Sequence, residues 1–291
     1  MKTNLIPVVY ILLPLLLIIM VSQAQSVKLP NAFAHNDYRH KRPLYDALEN
    51  GFTYVEADIY LRGNKLIVSH ILPILKRNRT LEELYLKPLL EYVKDKNKSS
   101  SRDIDSHITL MIDIKSNAHK TFAALTVLLE KYKSIISTLE DGKVYLRDVT
   151  IVITGHKPKN LITNNLSRNF FVDEDLRMVG QVIQDNNNPI ASCKYSRILK
   201  WKGRGTISPA EREILKEYVN RAHENGFKVR LWASPEKKTV WNELLKCNVD
   251  LINTNKLEKL RDFLVSEKLS LTETEPLSAE IESNFPAVVL K

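Results

Sequence analysis

The chain has 291 residues, 44% of them hydrophobic, with 43 Lys and Arg against 34 Asp and Glu for a formal charge of +9. That hydrophobic share excludes a disordered polymer and is ample for one barrel-sized domain or two small ones. The positive excess is spread along the chain without a basic stripe or interleaved aromatics, so it fits an anionic substrate, an anionic membrane surface or plain solubility, and argues against a nucleic-acid partner.

In chain order, Lys2 precedes an apolar run from Leu5 to Val21, followed by Ser22, Gln23 and Ala24. A charged start, an apolar stretch and small residues at the cleavage point predict a signal peptide over 1–24 and an exported, periplasmic or secreted, mature chain. Pro7, Pro14 and the shortness of the run weaken the alternative of a retained anchor. Cys193 and Cys247 are the only cysteines, too few for a zinc site or a disulfide framework, and the sequence does not decide whether they pair.

From residue 25 onward, short apolar or β-branched runs alternate with segments of helical period, the pattern of a parallel sheet covered by helices. The candidate strands are Asn31 to His35, Thr53 to Tyr60, Thr109 to Ile114, Val149 to Thr154, Asn169 to Asp173, Ser196 to Lys200, Lys228 to Trp232 and Val249 to Asn253. Arg62 to Lys65 reads as a turn returning Leu66 to Ser69 as a short β segment that ends at His70. Thr80 and Glu83 form a capping box ahead of an amphipathic stretch from Leu84 to Val93. Ser208 and Pro209 open a helix that stops at Gly226. Eight strands with helices between them predict an α/β fold built as a single (β/α)8 TIM barrel over 25–265, with a doubly wound sheet as the runner-up. Lys94 to Asp105 and a tail over 266–291 are expected to be mobile surface.

A barrel places its chemistry at the C-terminal ends of its strands. Those ends carry His35-Asn36-Asp37, Glu56-Ala57-Asp58, His70 and Asp113-Ile114-Lys115. The two-residue period turns Glu56 and Asp58 to one side of their strand, and close like charges call for a cation. With Asp113 they make an all-oxygen set suited to one hard divalent ion, Mg²⁺ or Ca²⁺, rather than zinc. Two histidines beside such an ion suit phosphodiester chemistry, in which one takes a proton and the other gives one. His40, His107, His119, His156 and His223 read as structural histidines.

The segments HND, EAD, VSH, DIK and VRLW, in this order, resemble the phospholipase C-like phosphodiesterase superfamily of glycerophosphodiester phosphodiesterases, phosphatidylinositol phospholipases C and spider-venom phospholipases D. The stretch HNDYRHKRPLYDALENGFTYVEADIYL, with TLEELYLKPL after it, most resembles the branch named after the fungal altered-inheritance-of-mitochondria protein. This resemblance implies His35 and His70 as the catalytic pair and Glu56, Asp58 and Asp113 as metal ligands. It further implies Lys115 as a phosphate contact, Trp232 as an aromatic at the barrel mouth and Asn253 to Asn255 as the place for another polar pocket residue. Glycerophosphodiesterases of the common branch have arginine and glycine after the first histidine, where this chain has Asn36 and Asp37. Asn36 is thus a substrate-side candidate, and Arg39, Arg42 or Arg230 is left to replace the arginine. The expected activity is hydrolysis of glycerophosphodiester or phospholipid-type P–O bonds by a monomer acting on a small-molecule or lipid-headgroup diester. The rival expectation is a non-catalytic barrel that binds phosphorylated headgroups or envelope glycans.

Overall fold

The computed structural model describes residues 27–71, 79–98, 107–158, 167–181 and 189–274. The expected signal peptide lies outside them, and none of the described helices is long and apolar enough to cross a membrane.

Eight parallel strands follow one another around a nearly closed barrel: β1 (Leu29–Ala34), β2 (Phe52–Arg62), β4 (Ile108–Ile114), β7 (Val149–Gly155), β8 (Phe171–Asp175), β9 (Ile190–Lys194), β10 (Lys228–Trp232) and β11 (Ile252–Thr254). β1 pairs with β11, and a parallel bridge between Arg230 and Leu251 links β10 to the segment entering β11. The short β3 (Lys65–Val68) folds back antiparallel on β2 through a turn in which Gly63 has a φ of 61°. A second hairpin, β5 (Thr138–Glu140) and β6 (Lys143–Tyr145), precedes β7. The helices are α1 (Tyr45–Glu49), α2 (Lys87–Lys98), α3 (Ala118–Glu130), α4 (Pro209–Glu224), α5 (Lys238–Lys246) and α6 (Leu257–Thr274).

Local signals act where the sequence places them. The Thr80 hydroxyl accepts the Glu83 N–H at 3.2 Å, and Ser208 accepts the Glu211 N–H at 3.2 Å at the start of α4. Helix α2 continues to Lys98 and α6 to Thr274, each into a stretch expected to be surface loop or tail; residues 99–106 and 275–291 lie outside the described set.

One expected strand is corrected. Ser196 to Lys200 is not β structure: Tyr195–Arg197 is a short 3₁₀ turn, and the sixth barrel strand is Ile190–Lys194. Its residues Ile190, Ala191, Ser192 and Cys193 are all buried. Small side chains suffice there because the strand lies between the lumen and the outer layer, and they give a weak β signal. Cys193 and Cys247 are both free and buried.

Alternation along the strands divides the apolar residues into two cores. Phe33, Met111, Val152, Phe171, Ile190 and Leu251 meet inside the barrel. Val55, Ala57, Ile112, Ile153, Val229 and Leu231 face outward into the larger core beneath the helices. The inward residues one step nearer the strands' C-terminal ends are polar, namely Glu56, Asp173, Ser192, Arg230 and Asn253, and all are buried. The lumen is thus sealed below by hydrocarbon and opens above into charge.

Candidate active site

Strand register assembles the acidic cluster. β2 pairs with β4 so that Asp58 lies beside Asp113 and Glu56 beside Met111. Carboxylate oxygens of Glu56, Asp58 and Asp113 all lie within 4.8 Å of one another. The β1–β2 register pairs Ala34 with Val55, which carries His35 to the level of Glu56, and the His35 Nε2 lies 4.0 Å from Glu56 Oε2. His70 arrives from the hairpin: the Ser69 N–H donates to the Asp58 carbonyl, and His70 Nδ1 sits 2.9 Å from Asp58 Oδ2. Both imidazoles therefore border the cluster, His70 with its side chain 48% exposed.

Each carboxylate is held by particular partners. Asp58, with a side chain 1% exposed, takes the Tyr38 hydroxyl at 2.8 Å and His70, both through Oδ2, while Lys115 Nζ stands 3.7 Å away. Asp113 Oδ2 accepts from Lys115 Nζ at 2.6 Å. Glu56 pairs with Arg230, whose guanidinium also donates to Asn253 Oδ1 and lies 3.8 Å from the centre of the Phe33 ring. Buried ions of this kind persist only when paired and hydrogen-bonded.

The remaining oxygens fit a cation. Asp58 Oδ1 and Asp113 Oδ1 are buried without a hydrogen-bond partner among the described residues. An orphaned carboxylate oxygen is costly, and two in one cluster match the ligand atoms a hard divalent ion requires. Gly155 backs the site with a φ of 75°, and a Cβ built on it would fall 2.1 Å from Asp113 Oδ1. Burial pushes the Asp113 carboxyl up to about 6, against the opposing pull of Lys115. Burial also lowers His35 from the ordinary imidazole value, although Glu56 pulls it upward.

The cavity above this cluster has a volume of about 720 Å³ and is lined by His35, Asn36, His70, Lys115, Arg230 and Trp232 together with the three carboxylates. Trp232 stands at the mouth, 39% exposed, with the Lys194 amine 5.7 Å from its ring centre. Asn253 sits behind Arg230 and is not among the lining residues. Of the three arginines left to replace the missing one, only Arg230 lines the cavity, while Arg42 pairs with Asp46 and Glu49 on the outer surface. Of the histidines expected to be structural, His107 bonds the Arg147 carbonyl and the Thr150 hydroxyl, and His223 bonds Asp250; neither lines this cavity.

The far wall escaped sequence reading. Lys157, Asp173, Ser192, Lys194 and Arg197 line it, on β8, β9 and the turns beyond β7 and β9. Asp173 Oδ2 accepts the hydroxyls of Thr154 at 2.8 Å and Ser192 at 2.6 Å. The signal available for Ser192 and Lys194 was their two-residue spacing, hidden by placing the strand six residues too late. Tyr38 was also missed, since a tyrosine three residues after a histidine carries no signal of its own.

A family model described as an AIM6-like phosphodiesterase domain matches residues 22–173. That span carries His35, Glu56, Asp58, His70, Asp113 and Lys115 and stops before Arg230 and Trp232. An altered inheritance of mitochondria protein 6 homolog from Arthroderma benhamiae is 25% identical, the alignment covering 79% of this chain and 82% of the relative. Altered inheritance of mitochondria protein 6 of Kluyveromyces lactis is 28% identical over 81% of this chain and 72% of its own length. Its counterpart in Eremothecium gossypii is 27% identical over 81% and 69%.

Proposed function

Since the chain belongs to the AIM6-like phosphodiesterase domain family, we propose that it is an exported, metal-dependent phosphodiesterase that cleaves glycerophosphodiester or phospholipid-type P–O bonds by two-histidine acid/base catalysis. The observation that carries this reading is the convergence of two imidazoles and three carboxylates, from β1, β2, the β3 turn and β4, at one rim of the barrel.

Glu56, Asp58 and Asp113 would hold one Mg²⁺ or Ca²⁺, which supplies charge stabilisation for the phosphoryl oxygens. Lys115, held beside Asp58 and Asp113, adds a fixed positive charge on the same side. The imidazoles divide the proton work: one removes a proton from the attacking hydroxyl or water, and the other delivers one to the departing alcohol oxygen. With Nδ1 engaged by Asp58, His70 keeps its Nε2 for that exchange. The far wall receives the remainder of the substrate, a small-molecule or lipid headgroup. The exposed Trp232 ring beside Lys194 suits approach to an anionic lipid surface. A monomer completes the proposal, with no part for nucleic acid.

The test is hydrolysis of a glycerophosphodiester and lysophospholipid panel with and without EDTA, repeated on the His35→Ala and His70→Ala variants and on the double variant. Turnover lost with EDTA and with either substitution is expected. Full activity in the double variant overturns the assignment, and tight binding of a phosphorylated headgroup without turnover points instead to a non-catalytic barrel.

A further inference from the structure

The segment from Asn36 to Tyr38 is fastened more heavily than a surface turn requires. Asn36 is left-handed, with a φ of 51° and a ψ of 39°, a conformation that asparagine tolerates better than other non-glycine residues. The buried Asp37 accepts the Leu44 N–H at 2.6 Å and the Tyr85 hydroxyl at 2.9 Å, and Arg79 donates to the Tyr38 carbonyl. These anchors hold the turn so that the Asn36 amide points inward.

There the amide meets both halves of the site. Its Nδ2 lies 2.9 Å from Asn255 Oδ1 and 2.9 Å from His35 Nδ1, and its Oδ1 meets the Tyr38 hydroxyl. The single proton of that hydroxyl is shared between Asn36 Oδ1 and Asp58 Oδ2, the oxygen that engages His70 Nδ1. The link to His35 runs through Asn255, whose Oδ1 accepts the Asn36 N–H and faces His35 Nδ1, because the Asn36 NH₂ and a protonated Nδ1 are both donors and meet only through that shared acceptor. Asn255 Oδ1 is also 3.1 Å from His35 Nδ1, so it can accept a proton carried there and leave the lone pair on Nε2, the nitrogen nearer Glu56. An amide suits the middle of this link because it offers donor and acceptor together without adding charge to a wall that already holds Glu56 and Asp58.

We propose that Asn36 and Tyr38 are positioning residues, a neutral bridge that locks His35, Asp58 and, through Asp58, His70 into one mutual geometry. This rests on the phosphodiesterase reading above. It assigns Asn36 to aligning the histidines rather than to holding phosphate, and it leaves Asp58 Oδ1 clear for a cation because Tyr38 and His70 both use Oδ2.

Two variants test it. Asn36→Gly keeps the left-handed backbone without strain and deletes the amide; Tyr38→Phe deletes one hydroxyl and keeps the ring. With bis(p-nitrophenyl) phosphate and glycerophosphocholine as probes, kcat is expected to fall about 10- to 100-fold in each, with KM within about twofold. Nitrogen-15 NMR of the histidines should show His35 protonated at Nδ1 in the wild-type protein and a mixture of tautomers in Asn36→Gly. Unchanged kcat in both variants overturns the bridge, as does a fall in kcat with the His35 tautomer unaltered. If the wild-type protein hydrolyses neither probe, the functional reading is what fails, and the tautomer comparison alone decides the bridge.

Discussion

Replacing Arg230 with Met gives the sharpest test of how the polar layer is balanced. Arg230 and Glu56 form an ion pair with side chains 3% and 4% exposed, beneath the cavity and above the apolar lumen. Methionine fills much of the same volume and keeps contact with Phe33 but leaves Glu56 facing His35 alone at 4.0 Å. Removing one partner of a buried pair costs about 3–5 kcal/mol, because the survivor keeps its desolvation penalty. For a domain of this size that corresponds to a fall in Tm of about 10 °C. Glu56 is also part of the cluster that would bind a cation, so the loss should shrink when the cation is present, and the variant should gain more from it than the wild-type protein does. The assay is thermal unfolding of both proteins in EDTA and in saturating Mg²⁺ or Ca²⁺. A loss below about 1 kcal/mol in EDTA, or the same loss with and without cation, would refute the argument that Arg230 neutralises a metal-facing carboxylate.

Three further outcomes follow from the same geometry. Gly155→Ala places a Cβ 2.1 Å from Asp113 Oδ1 and 2.7 Å from the Ile114 carbonyl, at a φ of 75°; stability should drop by about 2–4 kcal/mol and divalent affinity at least about tenfold, read by denaturant unfolding and calorimetric titration. Asp58→Asn weakens the charge that the cation, Lys115 and His70 all share, so metal binding and turnover should both be lost while circular dichroism stays native. Asp37 has its carboxyl raised by burial from 3.8 to about 6. The native state therefore holds this proton more tightly than the unfolded chain, and the stabilisation is complete below about pH 4 and lost as pH rises through about 6, by about 3 kcal/mol. Asp37→Asn keeps an oxygen for Leu44 and Tyr85, so its stability relative to the wild-type protein should rise from pH 4 to 7; parallel curves would contradict this.

Much of the barrel could be read locally because each cue spans only a few residues. The turn at Gly63, the Thr80 cap and the Ser208–Pro209 start of α4 depend on neighbours within one turn of chain. The runs in β2, β4, β7 and β10 are apolar enough to show themselves as strands. β9 failed that test, since Ala191, Ser192 and Cys193 are small, and the Arg197-Ile198-Leu199 run that follows looks more like a strand than the true one. The β5–β6 hairpin was likewise unannounced, although Asp141 and Gly142, with φ values of 49° and 76°, are a turn pair of the expected type.

By itself the sequence determined the alternation of strands and helices that makes a barrel, seven of its eight strands, the identity of the acidic residues and histidines at the strand ends, and the all-oxygen character of the cluster, because the two-residue period and the residue types are local properties. Only the tertiary structure decided that Arg230 belongs to Glu56, 174 positions away, that Asn255 faces His35 across the junction of β1 and β11, and that Tyr38 spans Asn36 and Asp58. Those pairings depend on the register of strands distant along the chain, where a slip of one residue would turn each side chain to the opposite face.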